Sequence, residues 1–275
     1  NEPIFELANK YNLAVEIHPY DGEKFIKLEN TSWRFHLIWM LAQCADAYHF
    51  LTLNGYQDKY PNMRTCFAHG GQLAQINLGR RIQGFDGRPD LFEGKHHPRK
   101  AVGHKNIFFD TLVHDTGSLQ LLIKNQTSKQ VIMGLDDPYP LGEMESAKQS
   151  SYPGKILDLA MERQIITEEE RDAIWEDNVI QWLCGDNEEA KQKILASRQN
   201  VLDITEQEKI VYGVNTGFGS LCTTIISKED TGKLQENILR SHSVGVGEVT
   251  PLDVAKLMMI LKVHALSKGY SGVAL

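Results

Sequence analysis

Short apolar runs punctuate the first half of the chain, and each ends on a polar residue followed by a stretch of helical length. Leu13-Ala14-Val15-Glu16-Ile17-His18 reads as a strand after a helix-like segment at 3–11. Arg64-Thr65-Cys66-Phe67-Ala68-His69 is a second strand, and Gly70-Gly71 follows it. Asn106-Ile107-Phe108-Phe109-Asp110 is a third, and Gln130-Val131-Ile132-Met133-Gly134 is a fourth that runs on to Leu135-Asp136. Segments of helical length lie between them, as at 33–54 and 117–125. Strands alternating with helices predict a parallel sheet with crossover connections. Parallel strands carry their C-terminal ends on one side, so His18, His69, Asp110 and Asp136 are expected on a common rim, the side on which α/β barrels build their sites. Four strands amount to half of an eight-stranded barrel.

From Gly154 the pattern turns helical. Thr167-Glu168-Glu169-Glu170 is a capping box, in which the Thr side chain and the Glu three residues on satisfy free backbone N–H groups. Ile174, Trp175, Val179, Trp182 and Leu183 continue that helix at apolar spacing, and Gly185 is placed to end it. Asp186-Asn187-Glu188-Glu189 reads as a linker. Beyond it, helices are expected near 189–202, 231–242 and 251–266, the last with Met258-Met259 in a helix core, while 203–212 gives no clear period. The expected organisation is therefore α/β: the C-terminal half of a (β/α)8 TIM-type barrel over 1–185, then a mainly helical segment over 186–275.

Composition narrows the function classes. The chain has 275 residues, 41% hydrophobic and 24% charged, which is ordinary for a globular protein. Its 29 basic and 36 acidic residues give a formal charge of -7, so nucleic-acid binding has no electrostatic footprint. No run approaches the ~18 apolar residues of a membrane span, and no signal-peptide pattern opens the chain. Cys44, Cys66, Cys184 and Cys222 are far apart with no CxxC pair, which points to reduced thiols and a cytoplasmic location.

Two histidines and an aspartate at successive strand ends make a donor set that suits zinc or another divalent first-row ion. Spacing alone favours a simpler account, in which each polar residue ends a strand in solvent or caps a turn. The longer motifs change that balance. His18-Pro19-Tyr20-Asp21, Phe67-Ala68-His69-Gly70-Gly71 and Gly134-Leu135-Asp136-Asp137-Pro138-Tyr139-Pro140-Leu141-Gly142-Glu143 resemble the aminocarboxymuconate-semialdehyde decarboxylases of the amidohydrolase superfamily. The resemblance covers about 1–185 and implies a zinc-dependent carboxy-lyase of tryptophan/kynurenine degradation. It implies zinc ligation by His18 and Asp136, acid–base work by His69, and a substrate-carboxylate contact from Arg80 reaching into a neighbouring subunit of a homodimer. An arginine fork suits a small carboxylate substrate because two parallel N–H bonds fix its plane. The same resemblance expects a His-x-His metal pair upstream of Asn1. Leu135 stands where relatives carry a small polar residue, and Asp137 adds a second acid. His114 is a further candidate lining residue, His96-His97-Pro98-Arg99-Lys100 reads as a polar loop, and Trp33 and Trp39 read as packing residues.

A second constellation lies in the last third of the chain. Tyr212-Gly213-Val214-Asn215-Thr216-Gly217-Phe218-Gly219 lacks the Gly-Lys-Ser/Thr ending of a P-loop and the GxGxxG spacing of a dinucleotide fold. Read by itself, it is a tight, glycine-dependent loop with Tyr212 packed at its edge. Together with Leu234–His242, Gly245-Val246-Gly247-Glu248 and Gly269-Tyr270-Ser271-Gly272-Val273, it resembles the N-terminal part of histidine ammonia-lyase, over about 190–275. The resemblance implies Tyr212 as the residue that helps remove a substrate proton and His242 as an active-site histidine. The lyase electrophile forms from an Ala-Ser-Gly triplet, and the sequence contains none. Both ends of the chain read as cut, so the expectation is a fused and incomplete pair: a decarboxylase part first, an ammonia-lyase part second, with a catalytically inactive truncated fusion as the remaining alternative.

Overall fold

The computed structural model describes residues 2–19, 31–136, 141–143, 152–207, 209–227, 230–242, 250–266 and 268–271. The chain divides into two compact units, Asn1–Asp186 and Asn187–Ala274. The first unit begins with α1 (Glu2–Lys10) and β1 (Ala14–Ile17), followed after a π-helical turn at Phe35–Trp39 by α2 (Met40–Leu53) and α3 (Tyr56–Lys59). β2 (Arg64–Phe67), α4 (Gln72–Ile76), α5 (Leu78–Gly87), β3 (Ile107–Asp110), α6 (Thr116–Gln126) and β4 (Val131–Ile132) come next. Three helices complete the unit: α7 (Lys155–Glu162), α8 (Glu168–Asp172) and α9 (Asn178–Cys184).

The four strands form one sheet in the order β1-β2-β3-β4, with every neighbouring pair parallel. β2 and β3 are buried along their whole length, as expected for a parallel sheet covered on both faces, with Arg64 and Thr65 of β2 and Asp110 of β3 as buried polar members. Side chains alternate between the two faces. Phe67, Phe109 and Val131 join the main core with Tyr48, Leu119 and Leu157. Tyr48 meets Phe67 edge-on at 5.1 Å and Phe109 at 5.5 Å, an arrangement that the aromatic quadrupole favours. Cys66, Phe108 and Ile132 point the other way and are covered by Val179 and Trp182 from α9.

The helical part of the unit follows the sequence expectation, down to the capping box at Thr167–Glu170 and the positive φ of 59° at Gly185. β4 is shorter than the apolar run that predicted it. The loop at 96–100 holds a short 3-10 turn, Pro98–Ala101, which His97 caps by accepting from the Arg99 N–H. Trp33 is partly exposed and stacks on His36 at 5.0 Å. All four cysteines are free thiols.

The second unit holds α10 (Glu188–Glu206), α11 (Thr231–His242) and α12 (Leu252–Leu266). α12 corrects an expectation: Met258 and Met259 are 63% and 69% exposed, and Leu257, Leu261 and Val263 are also exposed. The apolar run makes a helix here, yet these five side chains are not covered within the unit. No described helix is long and apolar enough to cross a membrane.

Candidate metal centre

Each of three parallel strands delivers one functional side chain just past its C-terminal end. His18 follows β1, His69 follows β2, and Asp136 lies four residues beyond the end of β4. His18 Nε2 is 3.6 Å from Asp136 Oδ1, and His69 Nε2 is 3.7 Å from Asp136 Oδ2. The two imidazoles meet edge-on with centroids 4.9 Å apart. One ligand atom from each residue falls within 4.8 Å of the others, and this is the metal-type cluster found among the described residues. His69 is buried and its side chain is 9% exposed, whereas His18 is open to solvent at 43%. A cluster with a dry side and a wet side is the layout expected of a centre that admits a small molecule.

The backbone around these residues is unusual. His69, Asp136 and His114 all have positive φ, at 56°, 53° and 65°, a region that non-glycine residues rarely adopt and that tends to mark functional sites. Gly70 and Gly71 continue the left-handed run after His69, with φ of 60° and 53°. A Cβ on Gly70 would lie 2.3 Å from Val113 Cγ1, and one on Gly71 would lie 2.9 Å from the Phe109 ring. The His-Gly-Gly sequence is therefore a steric requirement of the turn that presents His69.

Electrostatics fit a cation. Burial, with His18 nearby, lowers the His69 pKa to about 4, so its imidazole is neutral at pH 7 and keeps an unprotonated ring nitrogen. Asp110, the remaining strand-end acid, is fully buried, and that burial raises its pKa. It faces backbone amides: Oδ2 accepts from His69 N–H at 2.9 Å, and Oδ1 accepts from Gly70 and Leu112 at 2.8 and 3.1 Å. Two imidazoles and a carboxylate match the nitrogen and oxygen donors that zinc and its first-row neighbours take, so the residues present fit a divalent ion.

Other candidates fall in different places. Arg80 is exposed on α5 and does not belong to the cluster. Its neighbour Arg81 lies over the Tyr48 ring at 4.8 Å and donates to Asn77 Oδ1 and Ala74 O. His114 Nε2 is 2.8 Å from the Leu141 carbonyl. Glu143, from the longest decarboxylase-like motif, serves the architecture, since its carboxylate accepts from Gly154 and Ile156 N–H at the start of α7. Tyr20, Asp21 and Asp137–Pro140 lie outside the described residues.

In the second unit the Tyr212–Gly219 octapeptide forms a tight loop. Asn215 is buried, accepts from Val211 N–H at 2.9 Å and donates to Lys209 O at 2.9 Å. Gly213 and Gly219 have positive φ, at 80° and 56°. Tyr212 is 61% exposed, with its ring 5.7 Å from Phe218. His242 ends α11, and its side chain, like residues 243–249, lies outside the described residues.

Comparison with known proteins divides the chain in two. The four-stranded parallel sheet and its helices are similar in fold to part of solved amidohydrolase-type α/β structures. It is similar to 5-carboxyvanillate decarboxylase from Sphingomonas paucimobilis, with a TM-score of 0.50 and 19% identity over 66% of this chain and 52% of that one. It is equally similar to a Staphylococcus aureus protein assigned to the amidohydrolases, with a TM-score of 0.51 and 19% identity over 66% of this chain and 57% of that one. Residues 177–275 match the family described as aromatic amino acid lyase. Within that stretch the chain is 49% identical over 92 residues to histidine ammonia-lyase from Streptococcus sanguinis, which is 34% of this chain and 18% of the relative. The chain is thus similar in fold to amidohydrolase-type structures over one part and in sequence to ammonia-lyases over another, and it spans under a fifth of the curated relative's length. The lyase match begins within the first unit, just ahead of α9.

Proposed function

We propose that the first unit carries part of a metal-dependent decarboxylase site of the aminocarboxymuconate-semialdehyde type. The convergence of His18, His69 and Asp136 on one point supports this reading, because nothing in the packing of a parallel sheet requires three strands to end in ligand-type side chains aimed at each other. His18 and Asp136 would hold the ion. A bound divalent ion lowers the pKa of water to about 7 and so supplies a nucleophile at neutral pH. His69 is neutral and buried beside that position, and its Nε2 can take a proton from water and return it to the product. Its burial keeps bulk water from competing for the proton. Arg80, exposed on α5, would reach a substrate carboxylate in the neighbouring subunit of a homodimer.

Metal content tests this reading. Protein purified without added metal should contain close to one divalent ion per chain by mass spectrometry, and His18→Ala should lose most of it. Protein free of metal in both forms, with no uptake on incubation with zinc or manganese, would remove the proposal.

A second reading rests on the 49% identity of the last third to an ammonia-lyase. Residues 177–275 would then derive from the amino-terminal part of such an enzyme, with Tyr212 as its proton-removing residue. The sequence holds no Ala-Ser-Gly triplet, so this stretch lacks the source of the electrophile that activates the amino acid.

A further inference from the structure

We infer that Asp110 is the positioning residue of the candidate centre, holding His69 and the Asp136 segment in mutual register from the end of the strand between them. This inference rests on the metal-centre reading above. Asp110 ends β3, which lies between β2 and β4 in the sheet. His69 follows β2 and Asp136 follows β4, so β3 is the element that both must be measured against.

The grip on His69 is made through the backbone. His69, Gly70 and Gly71 form a left-handed run, and successive N–H groups in such a turn point into one concavity that favours an anion. Here the anion is built in. Asp110 Oδ2 accepts from His69 N–H, and Oδ1 accepts from Gly70 N–H and Leu112 N–H. A non-glycine residue at φ 56° is strained and persists where surrounding bonds over-determine it. The Asp110 carboxylate supplies those bonds.

The grip on the Asp136 segment is steric and polar. A Cβ on Gly134 would fall 2.6 Å from Asp110 Cβ, so the chain leading to Asp136 passes directly against this side chain. Next to it, Thr111 Oγ1 accepts from Gly134 N–H at 3.1 Å. Asp110 and Thr111, consecutive at the end of β3, therefore fix the turn before Asp136 and the turn that carries His69. Asp110 is not a member of the cluster, and its two carboxylate oxygens accept from backbone amides.

Asp110→Asn isolates this role. Asn retains one acceptor oxygen, so it can keep the pair at Oδ1 but must turn an N–H2 donor toward His69 N–H, or the reverse. The probes are Co2+ binding, read by its visible spectrum, and the 15N imidazole signals of His69 in metal-free protein. We expect Co2+ affinity to fall at least tenfold and the His69 imidazole signals to shift, with circular dichroism retained. Glu170→Ala, which removes a distant helix cap, should lower stability while leaving both readouts at parent values. A folded Asp110→Asn with parent Co2+ affinity and parent His69 signals would overturn the inference. If that variant does not fold, hydrogen exchange in the parent decides: strong protection of the His69 and Gly70 amides supports the inference, and exchange at open-loop rates overturns it. A parent that binds no Co2+ removes the metal reading, whereas the imidazole comparison still judges Asp110.

Discussion

At the scale of single residues, His69 carries the sharpest consequence. Its pKa lies near 4 in the folded chain and near 6.5 in an unfolded one. Between those values the unfolded chain binds a proton that the folded chain refuses, so stability rises with pH across the window and is lost as pH falls from about 6.5 toward 4. The full effect is on the order of 3 kcal/mol. Urea unfolding of metal-free protein at several pH values should therefore show an acid limb that flattens in His69→Gln. Equal slopes in parent and variant would place the acid sensitivity elsewhere. His18, His69 and Asp136 were legible as rim residues because each follows a strand and parallel strands put such ends on one side, but only the longer motifs around them favoured a metal site over solvated strand ends. Asp110 was legible only as a fourth candidate. A strand-end aspartate looks the same on paper whether it faces solvent, a metal or three amides, and the left-handed turn that draws it inward depends on tertiary closeness to Val113 and Phe109.

At the scale of elements, the strands and most helices could be read because burial on both faces leaves short, largely apolar runs, and caps mark helix ends locally. The capping box at Thr167 required four adjacent residues and was visible. The cap of α7 was not, because its acceptor, Glu143, lies 11 residues upstream of Gly154. That carboxylate takes two N–H groups at the helix start, where the macrodipole favours negative charge. The Glu143 N–H in turn donates to Leu135 O at 2.9 Å, next to Asp136. Glu143→Ala should cost about 1–2 kcal/mol in urea unfolding, with Glu143→Gln losing less because it keeps one acceptor. No change in midpoint would mean that water replaces the carboxylate at no cost. The second surface of the sheet was also hidden from sequence reading. Val179 and Trp182 cover Cys66, Phe108 and Ile132, although their spacing announces only an amphipathic helix and not what it packs on.

At the scale of the whole molecule, two kinds of likeness meet in one chain, and they differ in what they carry over. The first is a fold likeness at 19% identity, and His18, His69 and Asp136 within it stand together in space, while Arg80 does not join them. The second is sequence at 49% identity, yet the chemistry of that family needs an Ala-Ser-Gly electrophile that the sequence lacks. Tyr212 shows the consequence. Its hydroxyl is 3.5 Å from the Gly219 N–H and its ring is 61% exposed, so water reaches the position where a substrate proton would have to be taken. Catalytic bases work from sites that exclude water. Without an electrophile, moreover, the substrate proton is no easier to remove. The 275-residue chain should therefore release no ammonia from L-histidine above the buffer control in a coupled dehydrogenase assay. Tyr212→Phe should give the same baseline. Ammonia release that disappears in Tyr212→Phe would show that a different electrophile serves this segment, and would move the catalytic weight of the chain from the first unit to the second.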